Sequence, residues 1–153
     1  MGERPVGLTR DAGWQIGVSR TLPVTAEEAW DLLTSPGGLA LWLGQGLSAP
    51  AKGARYRTAD GTEGEFRSVR PGDRVRLTWR PRWREREAIV QVVLVATPTG
   101  CSVRFHSERL NSAAERERMR EHWRDALDRI ERALAGGPDE NRPVRDRMGT
   151  ELD

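Results

Sequence analysis

The sequence has few of the residues that most often carry chemistry. It has one cysteine, Cys101, so neither a disulfide framework nor a cysteine-based zinc site can form within the chain. Cys101 lies in the alternating stretch Cys101-Ser102-Val103-Arg104-Phe105, where it reads as a small core residue, not a nucleophile. There are two histidines, His106 and His122, and no ligand set at metal spacing surrounds either, so no metal and no cofactor is expected. No Ser-His-Asp pattern or nucleophile elbow is present. Gly44-Gln45-Gly46 lacks the third glycine of a phosphate loop. Lysine occurs once, at Lys52, against 24 arginines. Acidic residues are interleaved with those arginines and the net charge is only +2, which reads as solvated faces, and no nucleic-acid partner is expected. No apolar run approaches the roughly 18 residues of a membrane span. The opening residues Met1-Gly2-Glu3-Arg4-Pro5 lack the apolar stretch of a secretory signal, so a cytoplasmic protein is expected.

What is present fits one domain. A chain of 153 residues can bury a real core. Residues 1–12 read as a flexible N-terminal segment, 13–135 as a single folded domain, and 136–153 as a disordered tail rich in Gly, Pro and charge. Alternation from Trp14 to Leu22 predicts a strand. Thr25 and Glu28 have the spacing of a capping box and start a helix whose Ala26, Ala29, Trp30 and Leu33 share a face. Ser35-Pro36 starts a second short helix ending at Gly44. Period-two patterning then predicts strands at Arg55–Thr58, Glu63–Arg70, Asp73–Arg80, Arg86–Thr97 and from Cys101 on, separated by turn signals such as Asp60-Gly61. The almost continuous apolar run Ile89 to Ala96 suggests a central strand covered on both faces. Ser112 and Glu115 open the last element. Met119, Trp123, Leu127, Ile130 and Leu134 recur at helical spacing, with acid-first pairs Asp125–Arg129 and Asp128–Arg132 on the wet side. A helix over 113–135 is on the order of 33 Å long and can cross a whole sheet. The order predicts an α+β fold: a curved antiparallel sheet of about six strands wrapped on a long C-terminal helix, with two short helices after the first strand. A gap between sheet and helix is the expected ligand site.

This order resembles the helix-grip fold of the SRPBCC (START-like) superfamily, and within it the branch named after the activator of heat-shock-protein-90 ATPase. The residues that carry the resemblance are Ser19 to Val24, Glu28-Ala29-Trp30, Leu33 to Pro36 with Leu39 to Trp42, Gly64 to Val69 with Pro71, Arg76 to Trp79, His106-Ser107, and Trp123. It covers roughly residues 14–135. Ala29 and Leu43 depart from the family pattern and make the pocket mouth less aromatic. The resemblance implies a START-like domain with an apolar cavity. Chaperone stimulation belongs to members with extra domains.

The expected ligand-binding residues are Trp42, Leu43, Tyr56, Phe66, Trp79, Val90, Val92, Phe105, Met119, Trp123 and Leu127, around a lipid-like or aromatic small molecule. No catalytic residue is assigned. Two alternatives stay open. A cyclase- or dehydratase-type enzyme would need polar groups inside the cavity, and Tyr56, His106, Arg104 and Glu65 are the candidates. A chaperone-associated or protein-interaction module, or a homodimer, would use the outer sheet face around Ile89, Val93 and Val95. The tip Arg80 to Arg86 carries Trp83 among arginines and reads as a hairpin tip with the indole stacked under arginine.

Overall fold

The structure is a computed structural model and describes residues 8–9 and 13–141, with side chains from 13 to 136. Alternating residues become strands: β1 (Leu8–Thr9), β2 (Gly13–Leu22), β3 (Arg55–Arg57), β4 (Glu63–Arg70), β5 (Arg74–Trp79), β6 (Ala88–Thr97) and β7 (Gly100–Leu110). They form one curved antiparallel sheet in the order β1-β2-β7-β6-β5-β4-β3. β3 to β7 are a plain meander. β2 comes earlier in the chain and pairs with the last strand, with Val18 opposite Phe105 and Leu22 opposite Cys101. The inner face carries Ile16, Leu22, Phe66, Val75, Leu77, Val90, Val92, Val103 and Phe105, all buried.

Local chemistry sets the helix ends. In α1 (Ala26–Thr34) both halves of the capping box form: the Glu28 N–H donates to Thr25 Oγ1 (3.0 Å) and the Thr25 N–H to Glu28 Oε1 (2.9 Å). Ser35 ends α1 and caps α2 (Pro36–Trp42), accepting from the Gly38 N–H at 3.0 Å. Along α3 (Ala113–Asn141), Met119, Trp123, Leu127 and Ile130 are buried against the sheet and Leu134 is half-buried. The α+β helix-grip architecture expected from the sequence is therefore present.

Several finer expectations are corrected. The second face of β6 is not covered along its length: Ile89 is buried, but Val95 is 55% exposed, because no described element packs on the outer face there. Trp30 is half-buried, a flank of the core. The acid-first pairs on α3 do not form. Asp128 instead takes the Arg20 guanidinium of β2 at 2.6 Å, and Arg129 Nε donates to the Leu41 carbonyl at 2.8 Å. At the start of α3, Ser112 Oγ accepts from the Glu115 N–H, but the Glu115 carboxylate is drawn away to Arg84 and to the Asn111 N–H. The helical backbone continues past residue 135 to Asn141. Within 1–12, Leu8–Thr9 pairs with Gly13–Trp14 as an edge strand. The remaining residues of the expected flexible segment and tail lie outside the described residues.

Candidate functional site between the sheet and the long helix

All eleven residues expected to bind a ligand are buried, with Leu43 and Tyr56 the most open at 7% exposure. Alternation on β5 and β7 turns Trp79 and Phe105 inward, and the α3 stripe brings Trp123 down onto them. Phe105 and Trp123 stack in parallel, centroids 4.8 Å apart and planes 3° apart. Trp42 lies 5.7 Å from Phe105 on one side, and Trp79 lies 5.7 Å from Trp123 on the other. Trp83 meets Trp79 edge-on at 6.1 Å and is 48% exposed, so the column of rings runs from surface to interior. The arginine stacked on Trp83 is Arg118 of α3, 4.1 Å from the ring. Two of the indole N–H groups have protein partners: Trp123 donates to Ser107 Oγ (2.7 Å) and Trp42 to the Leu33 carbonyl (2.9 Å). Where a gap was expected, between sheet and helix, the Phe105 and Trp123 rings lie against each other.

Open space adjoins the set beside Tyr56 and Phe66. Their rings are 5.0 Å apart and line a cavity of about 250 Å³ together with the segment Gly46 to Ala49, Ala54, Arg55 and Arg57. The Tyr56 hydroxyl donates to the Thr78 carbonyl at 2.6 Å. Burial, followed by the Glu87 charge, pushes its pKa up, so the phenol stays neutral. Gly64, paired with Tyr56, makes this possible: a Cβ there would lie 2.0 Å from the Thr78 carbonyl oxygen and 2.8 Å from the Tyr56 hydroxyl.

The other polar candidates for an enzyme lie elsewhere. Arg104 and His106 alternate with the fully buried Val103 and Phe105, so they stand on the outer face. His106 Nε2 is 2.8 Å from Gln15 Oε1, and Nδ1 is 3.5 Å from Glu108. Burial lowers its pKa; Glu108 opposes this and Arg104 and Arg76 add to it. Glu65 pairs with Arg67 at 3.3 Å on the side of β4 away from Phe66. Among the described residues, no three His, Cys, Asp or Glu side chains converge as a metal would require. No described helix is long and apolar enough to cross a membrane.

The ionisable ring that does reach the aromatic column is His122. It lies edge-on to Trp123 at 4.5 Å and 5.5 Å from Trp79. Burial, then the Arg129 charge, pushes its pKa down to about 4, against a weaker pull from Asp125 and Asp60. Its place beside Trp123 in sequence put it at the edge of the helix stripe. Its contact with Trp79 depends on the tertiary packing of β5, which periodicity does not encode.

Comparison with known proteins fits this geometry. No functionally curated protein matches the chain. Among solved structures, DynU16, a protein of the dynemicin biosynthetic locus, superposes with a TM-score of 0.74 at 23% identity over 81% of this chain and 48% of its own. The chain thus spans about half the length of that neighbour. CalU16 from Micromonospora echinospora gives 0.71 at 17% identity, over 81% of this chain and 76% of its own. The Aha1 dimer from Colwellia psychrerythraea gives 0.65 at 16%, over 78% and 95%. At these identities the likeness shows the fold. The model of the family described as activator of Hsp90 ATPase homolog 1-like protein matches residues 23–135, and the chain belongs to that family.

Proposed function

We propose that the chain is a cytoplasmic ligand-binding module that holds a hydrophobic small molecule, lipid-like or aromatic, between the sheet and α3. The observation that carries this is the cavity of about 250 Å³ at the β3–β4 edge, lined by Tyr56 and Phe66, whose rings belong to the same buried core as Trp79 and the α3 stripe. Aromatic rings beside a few polar groups are the usual composition of a small-molecule site, and here Arg55, Arg57 and Ser48 share the lining with the two rings. The Tyr56 hydroxyl supplies a further polar group by exchanging its bond to the Thr78 carbonyl for one to the ligand. The aromatic column is the neighbouring wall, and an apolar guest enlarges the cavity by displacing Leu43 and Trp79. The origin of DynU16 in a biosynthetic locus supports a role in holding an intermediate. Binding is favoured over turnover because Arg104, His106 and Glu65 stand away from the cavity.

The test is a titration of the full chain with fatty acids, lysophospholipids and polycyclic aromatics, read by tryptophan fluorescence and thermal unfolding. At least one class is expected to quench saturably and to raise Tm, as any ligand specific for the native state must. If no class gives either signal, the reading fails.

A further inference from the structure

A second depression lies on the other side of β2, and its chemistry is the opposite of the apolar site. It has a volume of about 330 Å³ and is lined by Gln15, Ile16, Gly17, Arg104, His106, Arg116 and Arg120. That is at the small end of ligand sites, which run from ~300 to 1,000 Å³. Three arginines from two elements face it: Arg104 from the outer side of β7, Arg116 and Arg120 from the first turns of α3.

The local structure is built to bring them together. Register slips between Trp14 and Ile16, so Gln15 is a bulge in β2. Bulges re-aim side chains and end pairing. Here the freed Gln15 carbonyl accepts from Arg116 Nε at 2.9 Å, and its side-chain oxygen lies 2.8 Å from His106 Nε2, so one residue ties helix and sheet to the same floor. Gly17 follows. A Cβ there would lie 2.5 Å from the Arg104 Nη2, so the missing side chain is what lets that guanidinium lie across the strand.

The donors are only partly used. Glu117 takes Arg116 at 2.9 Å and Arg120 at 3.0 Å. It is one carboxylate for two guanidiniums. Among the described residues nothing accepts a hydrogen bond from the Arg104 guanidinium. The lining therefore carries more positive charge than negative, and it has several N–H groups aimed at one polar space. Arginine forks match oxyanions with several acceptor oxygens.

We propose that this depression is a binding site for a phosphate group, either of a soluble phosphate ester or of a lipid headgroup, with Arg104 and Arg120 as its principal ligands and Arg116 as the residue that fixes its floor. The phosphate bridges the edge of the sheet and α3. It is a separate site from the apolar one, and does not depend on it.

Calorimetric titration of the full chain with inorganic pyrophosphate and with glycerol 3-phosphate tests the soluble source. Co-sedimentation with phosphatidylglycerol vesicles, against phosphatidylcholine vesicles, tests the headgroup. Binding in either arm is expected, weakened by salt. Arg104→Gln and Arg120→Gln should each weaken it roughly tenfold, the size of one lost charge-assisted hydrogen bond. Arg86→Gln, the same charge change on the β5–β6 tip, should leave it unchanged. Thermal unfolding without ligand checks that each variant is folded. No binding in both arms overturns the proposal, and so does binding that Arg86→Gln weakens as much as the other two.

Discussion

His122 and Glu115 lie seven positions apart on one helix, and burial has opposite consequences for them. Burial and the Arg129 charge depress His122, so the folded imidazole resists protonation. Between about pH 6.5 and 4 the unfolded chain binds more protons than the native one, so stability falls with decreasing pH across that window. For a shift from 6.5 to about 4 the loss is on the order of 3 kcal/mol. Urea unfolding at pH 7, 6, 5 and 4.5 should show this slope, and His122→Phe should flatten it. His106 is depressed as well, so the difference between wild type and variant is the informative quantity. Equal slopes in the two proteins would mean that His122 is solvated. Glu115 is buried too, which would raise its pKa, but hydrogen bonds from Arg84 and the Asn111 N–H overcome this and hold it below the usual carboxylate value. Its contribution is complete above the ordinary carboxylate range and is lost as pH falls through the depressed value. Arg84 is almost wholly enclosed, with Nε 2.6 Å from Glu115 Oε2 and further bonds to the carbonyls of Arg86 and Arg109. Glu115→Ala strands that charge and should cost about 3–5 kcal/mol, whereas replacing both partners with apolar residues should cost much less. Urea midpoints of the two single variants and the double variant decide this.

At the scale of elements, what could be read in the sequence follows the reach of the interaction. The stripe of α3 was legible because Met119, Trp123, Leu127 and Ile130 share a face by helix geometry alone, and they are buried. The caps at Thr25 and Ser35 were legible because donor and acceptor lie within three residues. The charged face of α3 was not. Asp128 and Arg129 each have a local partner at i,i+4, worth only a few tenths of a kcal/mol in an exposed helix. Partners more than eighty residues away, Arg20 and the Leu41 carbonyl, win because they are presented at 2.6 and 2.8 Å by elements already packed there. The run Ile89 to Ala96 misled for a related reason. β-branched residues suit a pleated strand whether or not both faces are covered, so composition alone could not place Val95 at the surface.

At the scale of the whole molecule, the closing helix has a consequence for how a guest would enter. The sheet-and-helix frame was legible, as were the residues between the two. The state of that space was not, because ring packing depends on distances of a few tenths of an ångström between elements far apart in sequence. Phe105 stacks on Trp123 at 4.8 Å, and Trp42 and Trp79 fill in from either side, so beyond Tyr56 and Phe66 a hydrophobic molecule has to open the column before it can seat. The segment most suited to open is Gly44 to Ala54. It lies between α2 and β3 without regular structure, borders the cavity, follows Leu43 and carries Leu47. Association limited by such an opening is slower than the ~10⁵–10⁷ M⁻¹s⁻¹ of docking onto a preformed surface. Stopped-flow tryptophan fluorescence with a ligand from the titration should show an observed rate that levels off as ligand concentration rises. A rate that stays linear with concentration up to the instrument limit would mean that the guest docks at the surface beside Trp83 and never passes the helix.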